Sequence, residues 1–139
     1  MASTASNELN RQAGMLPARK VLIVDDEDYV REILGEMIAD LGLEAVQAED
    51  GDRGLAAFEA SRADFVACVI DLTMPGMSGL ELLARVRKLD SGIPILLVSG
   101  YSRHEVRQQE AKSPNLTFLQ KPFTPDQFRE ALNEQLDRS

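Results

Sequence analysis

The sequence predicts an α/β fold, a doubly wound five-stranded parallel sheet in the flavodoxin-like order 2-1-3-4-5, with helices on both faces. Short aliphatic segments alternate five times with segments whose apolar residues recur at helical spacing. The aliphatic segments are nearly continuous rather than alternating, which is typical of parallel strands covered on both faces. Right-handed crossovers between such strands lead to the doubly wound layout.

The first half of the sequence supplies two strand–helix units. Val21–Val24 is the first strand, and apolar residues recur at helical spacing from Val30 to Leu41. Leu43–Ala48 is a weaker strand, and a short second helix ends near Ser61. The chain before these units, residues 1–18, is rich in small polar residues. We interpret it as a flexible tail or linker that precedes one domain at residues 19–139.

The third and fourth units follow the same pattern. Phe65–Ile70 is an apolar strand that stops at Asp71, and the helix after it has its apolar positions between Leu80 and Arg87. Pro94–Val98 is the fourth strand. The segment Ser102–Lys112 is a polar helix with few apolar anchors, so we expect it to be the least tightly packed helix.

The last unit has the clearest helix start. Leu116–Gln120 is the fifth strand. Thr124 is placed as an N-cap, Pro125 occupies the first helical position, and Gln127 completes a capping box. The core face of this helix is predicted to be Phe128, Ala131, Leu132 and Leu136.

Composition excludes several classes of protein. The 139 residues carry a formal net charge of -8, whereas nucleic acids and anionic membrane surfaces bind basic patches. We therefore expect no nucleic-acid partner and no membrane contact. Without a membrane-length apolar segment or a signal-peptide core, a cytoplasmic location is the default expectation. The single cysteine, Cys68, lies inside an apolar strand and is interpreted as a buried hydrophobic residue.

Polar side chains recur where the predicted strands end. Asp25 and Asp26 follow the first strand and Asp71 the third, and these two strands are neighbours in the predicted order. Converging carboxylates need a cation, and oxygen ligands without a His or Cys cluster favour Mg²⁺ over zinc. Ser99 and Lys121, at the ends of the fourth and fifth strands, would complete a phosphoryl site, with Asp71 as the candidate nucleophile.

Each of these residues also has an ordinary structural explanation. Asp25 and Asp26 are compatible with a solvated pair at a strand end, Ser99 with a turn, and Lys121 with a surface lysine. For the site to be absent, all of these explanations would have to hold at once at one edge of the sheet, and that combination is much rarer than any one of them alone. This pattern gives no role to Tyr101 or His104, and His104 has no metal-ligand spacing to any other residue.

The sequence resembles the receiver domain of two-component response regulators from about Lys20 to Leu136. The resemblance rests on four motifs together: VLIVDDE, VIDLTMPGMSG, LLVSG and FLQKPF. It implies that Asp71 is phosphorylated from the phosphohistidine of a sensor histidine kinase or phosphotransfer protein. It also implies that Asp26, Asp71 and the backbone carbonyl of Thr73 ligate Mg²⁺, with Asp25 acting mainly through metal-bound water.

The resemblance implies a switch as well. Ser99 and Lys121 would contact the phosphoryl group, the Lys121–Pro122 peptide would be cis, and Phe118 would be the aromatic switch residue. Phe118 stands where a tyrosine is frequent, and it lacks the hydroxyl that would bond in an outward rotamer. The responding face would be the fourth predicted helix, the fifth strand and the last helix. Thr73 and Tyr101 occupy positions that modulate dephosphorylation in this family.

Several alternatives stay open. VSGYS with FLQKPFTPDQF is similar to receivers at the C-terminal end of hybrid histidine kinases, so a hybrid origin is slightly favoured over a stand-alone receiver. A Mg²⁺-dependent aspartyl-phosphate phosphohydrolase is a rival, but the residue two beyond Asp71 is Thr73 rather than a second carboxylate. A phosphorylation-independent binding module would lack some of the site residues, and none is missing. We expect slow autodephosphorylation rather than enzymatic turnover.

Overall fold

The computed structural model describes residues 19–100 and 115–138, which form a single five-stranded sheet with flanking helices. The strands are β1 (Lys20–Val24), β2 (Glu44–Ala48), β3 (Phe65–Asp71), β4 (Ile95–Ser99) and β5 (Leu116–Gln120). The helices are α1 (Asp28–Asp40), α2 (Gly51–Ala60), α3 (Gly79–Leu89) and α4 (Pro125–Arg138), and a 3-10 turn at Arg62–Asp64 precedes β3. The predicted tail, the polar helix at Ser102–Lys112 and Tyr101 lie outside the described residues.

The sheet confirms the predicted topology. All four strand pairings are parallel, and the strand order is β2-β1-β3-β4-β5. β1 and β3 are therefore neighbours, with Val24 opposite Ile70. The third and fourth strands each run one residue further than predicted, because Asp71 pairs with Val98 and Ser99 pairs with Gln120.

Helices cover both faces of the sheet, as the apolar strands predict. Alternate strand residues point to opposite faces, so the protein has two separate apolar clusters. The cluster under α2 and α3 contains Leu22, Val24, Phe58, Cys68, Ile70, Leu82, Val86, Ile95 and Leu97. The cluster under α1 and α4 contains Val21, Ile23, Leu34, Ile38, Val69, Leu96, Val98, Phe128 and Leu132.

Side-chain caps fix where three of the helices begin. The predicted capping box of α4 is confirmed: the Gln127 amide donates to Thr124 Oγ1 at 3.1 Å, and the Thr124 amide donates to Gln127 Oε1 at 2.8 Å. Asp50 accepts from the Arg53 amide at the start of α2, and Ser78 accepts from the Glu81 amide at the start of α3. In the described part of the chain, no helix has the length and apolarity needed to cross a bilayer.

Candidate functional site

Three carboxylates meet at the carboxyl edge of the sheet. Asp25 and Asp26 follow β1, and Asp71 is the last residue of β3, so the pairing of these two strands brings them together. One carboxylate oxygen from each lies within 4.8 Å of the others. Asp25 is 1 % exposed and Asp71 is 3 % exposed, while Asp26 faces solvent. The site thus consists of two buried carboxylates and one solvent-exposed carboxylate.

Backbone amides hold the two buried carboxylates in place. The Glu27 amide donates to Asp25 Oδ1 at 2.9 Å, and the Thr73 amide donates to Asp71 Oδ1 at 3.1 Å. Arg31 donates from Nη1 to the Asp25 carbonyl at 2.6 Å, which ties α1 to the end of β1. In both carboxylates Oδ1 accepts a backbone amide, and Oδ2 is the oxygen that faces Lys121.

Lys121 provides the positive charge of the site. Its Nζ lies 3.3 Å from Asp25 Oδ2, 3.7 Å from Asp71 Oδ2 and 3.6 Å from Glu27 Oε1. The Lys121 amide donates to the Ser99 carbonyl at 2.7 Å, which fixes this residue just beyond β5. The Lys121–Pro122 peptide is cis, so that prediction is confirmed.

The charges at this edge do not balance. Burial raises the pKa of Asp71 to about 6; the Thr73 amide and Lys121 act against this rise, while Asp25 and Asp26 add to it. Burial lowers the pKa of Lys121, but the carboxylates of Asp25 and Asp71 outweigh that effect and raise it overall. Among the described residues, Lys121 is the one ammonium group at this cluster of three carboxylates, so these four side chains together retain a demand for positive charge.

The remaining predicted residues surround the cluster. Ser99 ends β4 and is fully buried, and Thr73 is exposed two residues beyond Asp71. Phe118 is 3 % exposed and belongs to the apolar cluster under α2 and α3, so its ring is turned inward. Tyr101, the other position expected to modulate dephosphorylation, is not among the described residues.

Two further residues of the site, Glu27 and Gly79, are not evident from the sequence pattern. Glu27 contacts Lys121 through its carboxylate and supports Asp25 through its amide. Glu27 ends the VLIVDDE motif, and its place directly after Asp25 and Asp26 is the sequence signal that points to it. Gly79, at the start of α3, packs against the backbone of Asp71 and Leu72. A glycine at the first helical position gives no signal of such a contact in sequence.

The donor set fits a hard divalent cation. It consists of carboxylate oxygens, which suit Mg²⁺, and it contains no imidazole or thiolate. Across residues 19–100 and 115–138 this is the one group of three acidic, His or Cys side chains close enough to share an ion. The excess of carboxylates over ammonium groups fits such a cation as well.

An apolar groove of about 590 Å³ lies beside the acidic cluster, between α1 and the segment after β5. We call it the α1 groove. Tyr29 is 73 % exposed at its rim, and Lys121 lines both the groove and the acidic cluster. Its other lining residues are Val30, Ile33, Leu34, Met37, Pro122, Phe123 and Pro125.

The fold and the acidic edge agree with a known family. The family model described as the response regulator receiver domain matches residues 21–133. The chain belongs to this family. The receiver domain is 32 % identical to sporulation initiation phosphotransferase F of Bacillus subtilis over 117 residues, which covers 84 % of this chain and 93 % of that protein.

Solved structures agree with this assignment. The receiver domain superposes on the chemotaxis protein CheY4 of Vibrio cholerae with a TM-score of 0.73 and 32 % identity, covering 87 % of this chain and 98 % of that one. It superposes on the response regulator TrrA of Thermotoga maritima, in complex with Mg²⁺-BeF, with a TM-score of 0.74 and 30 % identity, covering 85 % and 99 %. The chain is thus a receiver domain of two-component signalling.

Proposed function

We propose that this receiver domain accepts a phosphoryl group on Asp71 in a Mg²⁺-dependent reaction, from the phosphohistidine of a sensor histidine kinase or phosphotransfer protein. The observation that carries the proposal is the position of Asp71. Its carboxylate ends the central strand β3 and lies within 3.7 Å of the Lys121 ammonium, in a cluster with Asp25 and Asp26. The TrrA structure, which holds Mg²⁺-BeF, supports the same kind of site here.

The transfer is a substitution at phosphorus. A carboxylate oxygen of Asp71 forms a bond to phosphorus as the phosphorus–nitrogen bond of the donor breaks, and the imidazole nitrogen leaves with the electron pair. Oδ2 is the attacking atom we favour, because Oδ1 accepts the Thr73 amide. Lys121 offsets the negative charge of the phosphoryl oxygens, and the Ser99 hydroxyl donates a hydrogen bond to one of them.

Asp26, Asp71 and the backbone carbonyl of Thr73 would hold the metal directly, with Asp25 acting through metal-bound water. Bound Mg²⁺ would supply the positive charge that the acidic cluster lacks. Asp25 is the least suited to direct ligation, because Lys121 lies 3.3 Å from its Oδ2 and the Glu27 amide occupies its Oδ1. Asp26 is exposed, and its carboxylate belongs to the group of three that could hold an ion.

Phosphorylation would be read out through Ser99 and Phe118. Ser99 would move toward the phosphoryl oxygens, and Phe118 would fill the space behind it. The inward ring of Phe118 fits the absence of a hydroxyl, because an outward phenyl ring would gain no hydrogen bond. The responding face is proposed to consist of β5, α4 and the predicted helix at Ser102–Lys112. Thr73 and Tyr101 are proposed to set the rate of dephosphorylation.

The donor is proposed to dock on the α1 groove. The groove is apolar, carries the exposed ring of Tyr29, and shares Lys121 with the acceptor site, so a partner seated there would reach Asp71. An amphipathic helix next to the donor histidine would fit such a groove.

We also propose that the domain spans residues 19–139 and that it is cytoplasmic. It is proposed to be either a stand-alone receiver or the receiver of a hybrid histidine kinase.

The rival function is a Mg²⁺-dependent phosphohydrolase. Rapid hydrolysis of an aspartyl phosphate needs a positioned acid or base beside it, and the residue two beyond Asp71 is Thr73. We therefore expect a phosphorylated form that persists. A phosphorylation-independent binding module is the other alternative, and it does not account for the buried acidic cluster.

The test is phosphorylation by acetyl phosphate with Mg²⁺, followed by intact mass, with Asp71→Asn beside the wild type. We expect one added phosphoryl group that requires Mg²⁺ and is absent from the variant. If the wild type gains no mass but releases phosphate in an Asp71-dependent manner, the phosphohydrolase is correct. If it neither gains mass nor releases phosphate, the binding module is correct.

A further inference from the structure

The loop from Leu72 to Ser78, between β3 and α3, is closed at its base by Gly79. The Gly79 amide donates to the Leu72 carbonyl at 3.2 Å, and the Leu72 amide donates to the Val98 carbonyl at 2.9 Å. The loop therefore starts on a paired strand and returns to the same point. Leu72 and Met74 are buried, whereas Thr73 is exposed on the side of the acidic cluster.

No side chain fits at position 79. A Cβ atom there would lie 2.3 Å from the Asp71 carbonyl oxygen and 2.6 Å from the Leu72 Cα, whereas real Cβ contacts essentially never fall below 3.0 Å. Both neighbours are backbone atoms, so the clash cannot be relieved by a change of rotamer. Either the start of α3 or the end of β3 would have to move.

That movement would reach the acceptor through Thr73. The Thr73 amide donates to Asp71 Oδ1 at 3.1 Å. Thr73 directly follows Asp71 and Leu72, whose backbone atoms a Cβ at position 79 would displace. The proposed metal ligand, the Thr73 carbonyl, belongs to the same stretch of backbone. A change at Gly79 would therefore alter the carboxylate and the carbonyl together.

We infer that Gly79 is a positioning residue of the acceptor site: its missing side chain allows α3 to begin against the Asp71 backbone, and this sets the orientation of the Asp71 carboxylate and the Thr73 carbonyl toward the metal. The inference rests on the proposed Mg²⁺ site. Gly79 would contact neither the metal nor the phosphoryl group, and it would act on metal affinity through the Asp71 carboxylate and the Thr73 carbonyl.

Two comparison variants separate positioning from simple loss of stability. Gly92→Ala adds the same methyl group on the opposite edge of the sheet, where a Cβ meets nothing within 4 Å. Val86→Ala, on α3 itself, removes part of a fully buried side chain and destabilises the protein without touching the loop. All variants are compared at a temperature at which urea denaturation curves show that each is folded in the absence of urea.

The first readout is the Thr73 amide in ¹H–¹⁵N NMR spectra of the metal-free proteins. In Gly79→Ala we expect its resonance to move toward that seen in Asp71→Asn, where the charged acceptor is gone. In Gly92→Ala and Val86→Ala it should stay at the wild-type position. A wild-type Thr73 resonance in Gly79→Ala would overturn the inference whether or not the protein binds metal.

The second readout is Mg²⁺ affinity by titration calorimetry. We expect Gly79→Ala to bind Mg²⁺ at least about tenfold more weakly, the size of effect found when an outer group that orients a ligand is changed. The two comparison variants should stay within about twofold of the wild type. Equal loss in Gly79→Ala and Val86→Ala would reduce Gly79 to a stability residue. A wild type that binds no Mg²⁺ would instead refute the proposed function, while the Thr73 resonance still decides whether Gly79 orients Asp71.

Discussion

The ammonium of Lys121 lies 3.3 Å from Oδ2 of Asp25, although 96 positions separate the two residues in the sequence. The same Nζ is 3.7 Å from Asp71 Oδ2. A phosphoryl group or a cation bound at this cluster would therefore lie near the Lys121 ammonium. Its charge has opposite consequences for those two ligands, because it attracts the first and repels the second.

Lys121→Met should separate the two effects. We expect phosphorylation by acetyl phosphate to slow by about 100-fold, because a cation aimed at the transferred group is lost. Mg²⁺ should bind several-fold more tightly, since the acidic cluster loses its competing ammonium. Phosphorylation rates by intact mass and affinity by calorimetry measure the two changes. Lys88→Met, at an exposed position of α3, is the control, and a weaker affinity for Mg²⁺ in Lys121→Met would contradict this interpretation.

Asp71→Asn should stabilise the metal-free protein at neutral pH. The pKa of Asp71 is raised by burial from 3.8 to about 6, so protonation favours the folded state. Its contribution to the free energy of unfolding therefore falls as pH rises from about 4 to about 6, and stays low above that range. Removing the charge should add about 1–3 kcal/mol at pH 7.5 and less near pH 4.

Urea denaturation in EDTA across this pH range measures the effect, with Asp40→Asn, at an exposed position of α1, as the control. Lys121 keeps Asp25 as a partner in Asp71→Asn, so loss of its ion pairing should not mask the gain. A variant less stable than the wild type at pH 7.5 would show that the Asp71 charge is better compensated than the geometry indicates.

Cys68 should react with thiol reagents only when the protein unfolds. It is fully buried in β3, and burial raises the pKa of its thiol to about 12. Labelling at pH 8 should therefore be at least about 1000-fold slower than in urea and should accelerate with destabilising substitutions such as Val86→Ala. Ser91→Cys, at an exposed position before β4, provides a fast-reacting thiol for comparison. Rapid labelling of the wild type would mean that β3 opens locally.

Tyr29→Ala should distinguish the two kinds of phosphodonor. The side chain is 73 % exposed, so its removal should leave folding and phosphorylation by acetyl phosphate unchanged. Transfer from a phosphohistidine protein should fall by about tenfold or more if the donor docks on the α1 groove. Leu80→Ala removes an exposed apolar side chain at the start of α3 and should affect neither donor. Equal rates with both donors in Tyr29→Ala would remove the α1 groove from the docking surface.

The sequence was sufficient for the topology because the signals for it are local. Aliphatic runs, helical spacing and the Thr124 capping box all depend on neighbouring residues, and the structure agrees with them within residues 19–100 and 115–138. The assembly of Asp25, Asp71 and Lys121 also followed, because parallel strands bring their carboxyl ends to one edge.

The parts that the sequence could not supply depend on contacts between distant backbones. In the sequence, Gly79 cannot be told apart from other glycines at helix starts. Only the structure shows that a Cβ at this position would clash with the Asp71 carbonyl. Gln135 is a polar residue within the last helix, yet it is 1 % exposed and donates to the Ile95 carbonyl at 3.3 Å and to Thr117 Oγ1. Helical spacing alone does not indicate that a glutamine would reach across to β4 and β5.

The proposed acceptor site draws on three strand ends that lie far apart along the chain, at Asp25, Asp71 and Lys121. A protein cut or left incomplete before β5 would keep its carboxylates but lose the lysine that accompanies them. Nascent or clipped chains would therefore be poor acceptors even where β1 and β3 had already paired. Under the proposed function, the strand order would thus favour phosphorylation of chains that are complete and folded through to their last strand.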